Sequence, residues 1–279
     1  MKKINLLFAG IAALGALASC GSNNDDKVIR VAASETPHAQ ILKDAVAPLL
    51  AQKGYTLEVT VLDWTLQNDA VKNGDYDANY FQHRPYLQQY DSGAAAYSET
   101  YTYINVFPTA LVHFEPLRIY EGSAKASDFE KNKTTATFEI CADVSNEIRA
   151  LDLLVACGAI SSYDTDGDGN PIKLPERIKT IDENQLVPNR EDYDYAVLPC
   201  NTALTGNLTA NPDLPTETSD VADLRANVIA ANVIKYGNDA GYREKINALT
   251  DAILDKSVAT YITTTWNNVI AVEQKDLRR

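Results

Sequence analysis

Apolar and polar residues follow two different periods in the first third of the chain. Residues 28–33 form a short apolar run, and apolar residues alternate with polar ones over residues 55–62, as is typical of β-strands. Between them, residues 37–53 carry apolar side chains at helical spacing. A helix over residues 65–73 and a strand over residues 78–81 follow. The order strand, helix, strand, helix, strand predicts a parallel sheet covered by helices.

The second half of the chain repeats this order of elements. The predicted elements are a helical turn at 127–130, a strand at 135–140, a helix at 146–157, a strand at 195–198, a helix from Asn201, a strand at 226–234, and helices at 242–255 and 257–267. Residues 100–120, rich in β-branched and aromatic types, are expected to be extended and to cross between the halves. We therefore expect an α/β fold of two lobes, lobe 1 from residues 28–110 plus 226–279 and lobe 2 from residues 111–225.

The N-terminal segment has the pattern of an export signal. Two lysines precede an apolar run at residues 6–17, which is too short to span a bilayer. Small residues then precede Cys20, as in a bacterial lipobox, where the signal peptide (residues 1–19) is removed and the cysteine receives fatty acids such as palmitate. An ordinary secretory signal with a chance cysteine is the alternative. Lipidation predicts a tether at residues 20–27 and an extracytoplasmic protein anchored to a bacterial membrane.

The chain is strongly acidic, with a formal net charge of −13. Removal of residues 1–19 takes away two lysines and no acidic residue, so the charge becomes −15. Nucleic acids and anionic lipid head groups attract basic surfaces, so this balance argues against both as partners. The sequence contains no second apolar segment long enough to cross a membrane.

Three cysteines follow Cys20: Cys141, Cys157 and Cys200. Outside the cytoplasm they allow one disulfide and one free thiol, in any of three pairings, or three buried thiols. Because no histidine lies near them in sequence and Cys-x-x-Cys is absent, we expect no metal site there.

The acidic loop at residues 164–169 is a candidate calcium-binding loop. Asp164, Asp166 and Asp168 alternate as in an EF-type loop. The twelfth position of that loop is Pro175, however, and Glu176 comes one residue late. A solvated acidic turn is the favoured interpretation, and we expect neither a required metal nor a cofactor.

Residues 77–87 pass from a predicted strand into a helix whose first turn contains a proline, which that position accommodates. Strand-to-helix turns of this kind place ligands in open α/β sheets. His83 and the aromatic residues Phe81 and Tyr86 crowd into this turn, which therefore predicts half of a pocket for a small amphiphilic ligand. The alternatives are core packing for the aromatics and an ordinary hydrogen-bonded role for the histidine.

A second candidate site lies at the start of the predicted helix at residues 146–157. Asn146 is expected to cap this helix, and Arg149 follows three residues later. The free N–H groups and dipole of a helix N-terminus favour an anion, and arginine can grip a carboxylate with two parallel hydrogen bonds. The pair predicts a carboxylate site. The alternative is a cap and a solvated arginine.

Catalytic motifs are absent from the sequence: it contains no Gly-x-Ser-x-Gly, His-Glu-x-x-His or phosphate loop. We therefore expect a binding protein rather than an enzyme. His38, His83 and His113 keep a hydrolase open as an alternative, and a surface adhesion lipoprotein is another.

The run Asp77-Ala-Asn-Tyr-Phe-Gln-His-Arg-Pro-Tyr-Leu87 resembles the D-A-N-x-F-Q-H-x-P-Y-L signature of the methionine-binding lipoproteins of ABC importers, the MetQ or NlpA type. Further matches are Thr36-Pro-His-Ala39, Ser145-Asn-Glu-Ile-Arg149, Gln185-Leu-Val-Pro188 and Asn201-Thr202, so that the resemblance covers roughly residues 28–270. It implies a type II periplasmic-binding-protein fold with a ligand cleft between the lobes. The implied partners are an amino acid, methionine before others, and the permease and ATPase subunits of an importer. Another amino acid or a short peptide is the alternative ligand, and we expect a monomer.

Carried over one residue at a time, the resemblance also implies a set of ligand residues. They are Trp64, Phe81, His83 and Tyr86 around the ligand side chain, Arg149 on the α-carboxylate beside Asn146, and Asn201 and Asn227 on the amino-acid head group. Two departures from the family pattern are expected to reshape this pocket: Trp64 replaces the usual tyrosine, and Ile148 replaces a glycine. For the last of these ligand residues, Asn232 is the alternative to Asn227.

Overall fold

The computed structural model describes residues 24–266 and 270–278 of the chain. The predicted signal peptide and Cys20 lie outside the described residues. Within them, the chain folds into two large β-sheets and a hairpin, surrounded by helices. The strands are β1 Val28–Ala33, β2 Thr56–Val61, β3 Ala78–His83, β4 Val106–Phe114, β5 Arg118–Glu121, β6 Phe138–Cys141, β7 Asp164–Thr165, β8 Pro171–Ile172, β9 Ile178–Ile181, β10 Tyr195–Leu198, β11 Asn227–Asn232 and β12 Ala271–Asp276.

The helices fill the connections between these strands. They are α1 Ala47–Gln52, α2 Trp64–Asn73, α3 Arg84–Ser92, α4 Phe129–Asn132, α5 Val144–Ala156, α6 Glu183–Asn189, α7 Cys200–Thr205, α8 Ala222–Arg225, α9 Val233–Asn238, α10 Ala240–Ile253 and α11 Lys256–Thr265. π-helical turns at Glu35–Ala39 and Leu42–Val46 precede α1, and 3-10 turns occur at Asn24–Lys27, Ala126–Asp128, Arg190–Asp192 and Ser219–Val221.

The six-stranded sheet has the order β12-β4-β11-β3-β1-β2. β1 pairs in parallel with both β2 and β3, as expected for strands joined by helical crossovers. β11 lies antiparallel between β3 and β4. All six residues of β3 and all six of β11 are buried, because helices cover both faces of the sheet.

The four-stranded sheet has the order β5-β10-β6-β9, with β6 parallel to β9 and β10 and with β5 antiparallel at the edge. The chain enters this sheet after β4 and leaves it after β10. β11 then returns to the first sheet, so two segments of chain connect the lobes. The predicted α/β fold of two lobes is confirmed. The division at residues 110 and 226 stays a prediction, and β4 runs on to Phe114 within the six-stranded sheet.

Several element predictions need correction. The predicted strand at 226–234 ends at Asn232, whose side chain accepts the Lys235 N–H and caps α9, so that Ile234 is helical. The strands β9 and β12 were not predicted from the sequence. The predicted helix at 257–267 ends at Thr265, and its last residue lies outside the described ones. No helix in the described part of the chain is long and apolar enough to cross a membrane.

Candidate functional site

A small, partly open cavity of about 50 Å³ lies between the lobes. All eight predicted ligand residues line it: Trp64, Phe81, His83, Tyr86, Asn146, Arg149, Asn201 and Asn227. Five further residues complete its wall: Ser34, Gln82, Glu115, Glu183 and Pro199. The structure thus brings together residues from both lobes at the strand-to-helix turn that the sequence singles out.

One end of the cavity is aromatic. Tyr86, in the first turn of α3, lies with its ring centroid 5.5 Å from that of Trp64 and 5.7 Å from that of Phe81, and both contacts are edge-to-face. Trp64 is the first residue of α2, and Phe81 is in β3, so three successive elements contribute one ring each. Rings in this geometry present both faces and edges, which suits a polarizable apolar group.

His83 connects the two lobes. Its Nδ1 accepts the backbone N–H of Tyr86 at 3.2 Å and thereby caps α3. The proton of the neutral ring is therefore on Nε2, which donates to Oδ1 of Asn146 at 3.1 Å. Burial, helped by the positive charges of Arg149 and Arg225, holds the pKa of His83 well below its usual value, so this histidine is neutral.

The start of α5 differs from the sequence prediction. The N-cap is Asp143, whose Oδ1 accepts the backbone N–H of Asn146, so Asn146 does not cap the helix and lies inside its first turn. Arg149 is accordingly a turn further from the helix end than expected. Ile148 is half-buried and lies outside the cavity wall, so it does not narrow the site as the family resemblance implies.

Arg149 is 4% exposed, and four of its five N–H donors have partners in the protein. Nε donates to Oε1 of Glu217 at 2.9 Å, and Nη2 donates to Oε2 of Glu217 at 2.5 Å and to the backbone oxygen of Glu115 at 2.9 Å. Nη1 donates to Oδ1 of Asn146 at 3.1 Å. One N–H of Nη1 remains without a partner among the described residues. The expected two-bond grip on a ligand carboxylate is therefore replaced by a two-bond grip on Glu217.

Glu115 is the most buried acidic group of the cavity wall, at 4% exposure. Its Oε1 accepts from Nε2 of His113 at 2.7 Å, and Nδ1 of His113 accepts in turn from the Tyr80 hydroxyl. Nε2 of His38 lies 3.5 Å from the same carboxylate oxygen. Burial lowers the pKa of His38 to about 4 and that of His113 to about 3 and raises the pKa of Glu115. Two neutral histidines thus support a carboxyl group that faces the cavity.

Glu183, in the first turn of α6, also lines the cavity. Its Oε1 accepts from the Thr202 hydroxyl at 2.6 Å. Burial, together with the negative charges of Asp143 and Glu115, raises the pKa of Glu183 to about 7. Neither glutamate was predicted from the sequence, although Glu115 directly follows a buried strand, where ligand residues of α/β sheets occur.

In the described part of the chain, two groups of side chains have ligand atoms within 4.8 Å of one another, as a metal site requires: His38 with His113 and Glu115, and Cys141 with Asp143 and Glu183. In both groups hydrogen bonds use these atoms, since His113 donates to Glu115 and the thiol of Cys141 donates to Asp143 at 2.9 Å. We assign no metal to either.

Asn227 and Asn232, the two candidates for one ligand position, lie in different places. Asn227, the first residue of β11, is 5% exposed and lines the wall next to the end of β3. Asn232 caps α9 and donates to the backbone oxygens of Val71 and Lys72. The structure therefore places Asn227, and not Asn232, at the cavity.

The remaining candidate groups lie away from the cavity or serve the fold. Cys141, Cys157 and Cys200 are free thiols; Cys141 and Cys200 are buried as one of the alternatives expected, whereas Cys157 is half-buried. The acidic loop joins β7 to β8, and Oδ1 of Asp166 accepts the backbone N–H groups of Asp168 and Asn170 at 2.9 Å.

Comparison with known proteins identifies the fold and the family. The profile of the NlpA lipoprotein family matches residues 29–273. The methionine-binding lipoprotein MetQ of Bacillus subtilis (strain 168) is 32% identical over 285 residues, which cover 97% of this chain and 98% of that protein. The membrane lipoprotein TpN32 of Treponema pallidum (strain Nichols) is 30% identical over 244 residues, 85% of each chain.

A solved structure supports the same assignment. The pheromone cOB1 precursor/lipoprotein of the YaeC family from Enterococcus faecalis V583 superposes with a TM-score of 0.71 at 26% identity, covering 88% of this chain and 100% of that one. The likeness confirms the predicted two-lobed binding-protein fold. The family consists of substrate-binding lipoproteins, which confirms the prediction of a binding protein rather than an enzyme. With a profile match across residues 29–273 and a 32% identical relative along 97% of its length, the chain belongs to the NlpA lipoprotein family.

Proposed function

We propose that the cavity binds a single amino acid, methionine, and that the protein delivers it to an ABC importer. The observation that carries this proposal is that a cluster of aromatic rings and a set of charged side chains line the same cavity. An amino acid with an apolar side chain likewise combines an apolar part and a charged part.

The aromatic end suits the methionine side chain. A thioether is polarizable and makes favourable contacts with aromatic rings, and the rings of Trp64, Phe81 and Tyr86 line the cavity. Burying a side chain of this size contributes roughly 1.5–3 kcal/mol. This end therefore supplies affinity and selects against charged side chains.

The charged end suits the amino-acid head group. The free Nη1 N–H of Arg149 is the donor for the α-carboxylate, with Asn201 on the same wall as a second polar group. Glu115 and the amide of Asn227 are the acceptors for the α-ammonium. Because both charged groups of the ligand leave water, each needs its hydrogen bonds in the cavity.

Lobe closure explains how the ligand is held. His83 in lobe 1 donates to Asn146 in lobe 2, and Asn146 also accepts from Arg149, so the inter-lobe contact and the head-group site share one side chain. We infer that the lobes close over the ligand about the two connecting segments, which is the usual behaviour of two-lobed binding proteins. The closed form then docks on a permease that an ATPase drives.

Lipid attachment at Cys20 completes the proposal. A lipidated cysteine followed by a short polar tether keeps a monomeric binding protein beside a membrane-embedded permease, on the extracytoplasmic side. The match to lipoproteins supports this location, as does the lipobox-like sequence before the cysteine.

The test is the identity of the ligand. Unfolding the purified full chain and analysing the released molecules by mass spectrometry is expected to yield methionine, and titration of the refolded protein with methionine is expected to give a micromolar or lower Kd. If a different amino acid is released, the assignment of the binding site stands and the proposed identity of the ligand is wrong. Absence of binding by any amino acid or dipeptide would overturn the proposed function, and adhesion would then be the leading alternative.

A further inference from the structure

Hydrogen bonds fix the position of Glu217, and Glu217 in turn fixes the position of Arg149. It lies on the second segment that connects the lobes, and its side chain is 9% exposed. Its backbone N–H donates to the Leu117 oxygen at 2.9 Å, and its Oε2 accepts the Leu117 N–H at 2.7 Å. The residue is thus fixed to the first connecting segment at two points, and its carboxylate cannot turn away from Arg149 without breaking the second of them.

The pairing has a geometric consequence for ligand binding. Glu217 occupies Nε and Nη2, the edge of the guanidinium that otherwise offers two parallel bonds to a carboxylate. The Nη1 corner is held towards Asn146 and the cavity. A ligand carboxylate therefore contacts one oriented N–H of Nη1, and not a guanidinium group that is free to rotate.

The pairing also changes the charge of the cavity. The negative charge of Glu217 lies within hydrogen-bond distance of the positive charge of Arg149. Among the described residues, Arg149 is the single Lys or Arg side chain on the cavity wall. The wall also carries the carboxyl groups of Glu115 and Glu183. Arg225 lies near this pair, but it is not on the cavity wall. A free carboxylic acid would consequently meet a wall on which the charge of Arg149 is balanced, whereas an ammonium group has carboxyl groups to meet.

We propose that Glu217 is a positioning and specificity-determining residue: it aims the Nη1 corner of Arg149 at the ligand, and by cancelling the arginine's charge it makes the cavity accept zwitterionic α-amino acids and reject acids that lack the ammonium group. This inference rests on the proposed function and adds to it a residue 68 positions away from Arg149 in sequence.

The experiment compares two ligands that differ only in the amino group: methionine and 4-(methylthio)butanoate. Kd values are measured by titration calorimetry for the refolded full chain and for the variants Glu217→Gln, Glu217→Asp and Asp223→Asn. Asp223 is the matched control, since it lies on the same connecting segment, pairs with Arg84 and Lys275, and is half-exposed away from the cavity. Thermal melting of each variant checks its fold.

The unaltered protein is expected to bind methionine at least 100-fold tighter than the acid. In Glu217→Gln, methionine binding falls at least tenfold while binding of the acid rises, because the charge of Arg149 is no longer cancelled, so the ratio of the two Kd values shrinks at least tenfold. Glu217→Asp keeps the negative charge but shortens the side chain. It is therefore expected to weaken binding of both ligands and to preserve the ratio of their Kd values. Asp223→Asn leaves both values unchanged.

Several results would overturn the inference. Equal losses for both ligands in Glu217→Gln would mean a structural role only, and tighter methionine binding would mean that Glu217 competes with the ligand. Should Glu217→Gln not fold, unchanged methionine affinity in Glu217→Asp would still count against positioning. Failure of the unaltered protein to bind methionine tests the proposed function separately. If it binds another amino acid, the same comparison uses that amino acid and its desamino acid.

Discussion

The imidazole of His83 donates its Nε2–H across the cleft to Oδ1 of Asn146, 3.1 Å away and 63 residues later in the chain. Because the same oxygen accepts from Arg149, one amide orients the aromatic half and the charged half of the site together. Under the proposed lobe closure, this hydrogen bond couples closure to the geometry of the site.

Asn146→Ala is expected to weaken ligand binding by roughly tenfold, the effect of about 1.4 kcal/mol, since it removes the inter-lobe acceptor and one partner of Arg149. Titration calorimetry gives the affinity. The matched control is Asn184→Ala, because the amide of Asn184 also reaches across the cleft, to Asp63 at 3.4 Å, but is exposed. Equal losses in the two variants would show that general lobe contact, and not the amide of Asn146, is what matters.

Arg149→Ala is expected to abolish binding and also to destabilise the protein by about 3–5 kcal/mol, because it leaves the carboxylate of Glu217 buried without its partner. The double variant Arg149→Met with Glu217→Gln is expected to recover most of that stability and none of the binding. Urea unfolding measures the first effect and calorimetry the second. Recovery of binding in the double variant would exclude a direct role for the guanidinium.

Trp64 is expected to report ligand binding through its fluorescence, since it lines the cavity, whereas Trp266 packs against Tyr261 in the core of lobe 1 at a centroid distance of 5.6 Å. The signal change on methionine addition should persist in Trp266→Phe and vanish in Trp64→Phe. Trp64→Ala should weaken binding by roughly 10- to 100-fold, the effect of about 1.5–3 kcal/mol of lost burial. A ligand signal that survives in Trp64→Phe would place the ligand elsewhere.

Much of this site is visible in the sequence because its parts are local. The strand, the turn and the helix at residues 77–87 follow each other directly, so their periodicity and the proline locate Phe81, His83 and Tyr86 without any long-range information. The same local rules place Arg149 on a helix. They assign the wrong cap to it, since Asp143 and Asn146 are both good capping residues and only the backbone shows which one is used.

Contacts between distant residues are what the sequence does not show. Nothing local marks Glu217 as the partner of Arg149 or Glu115 as the neighbour of His38, because the fold alone brings these residues together. The polar strand β12 was missed for a related reason: it is an edge strand with no alternating apolar pattern, and pairing with β4 defines it.

Glu139 gives the fold a predictable dependence on pH. It lies in β6 at 0% exposure, and neither carboxyl oxygen has a hydrogen-bond partner among the described residues. Burial raises its pKa from 4.5 to about 8, with a smaller opposing effect from Arg190. In the unfolded chain this carboxyl loses its proton near pH 4.5, while in the folded chain it keeps the proton to about pH 8. The folded state binds more protons in that window, so the contribution of Glu139 to stability falls as pH rises through it and is constant above it.

Glu139→Gln removes this titration and is therefore expected to be more stable than the unaltered protein at pH 8, by roughly 1–3 kcal/mol, and equally stable at pH 4.5. Urea unfolding at several pH values measures the difference. The surface variant Glu130→Gln is the matched control, since Glu130 is exposed and pairs with Lys133, and its difference should stay below about 1 kcal/mol at every pH. A Glu139→Gln difference that does not grow between pH 5 and pH 8 would mean that Glu139 is ionised in the folded protein. The polar environment around β6 would then have to include a partner, such as the nearby Arg190, that reaches the carboxylate in solution.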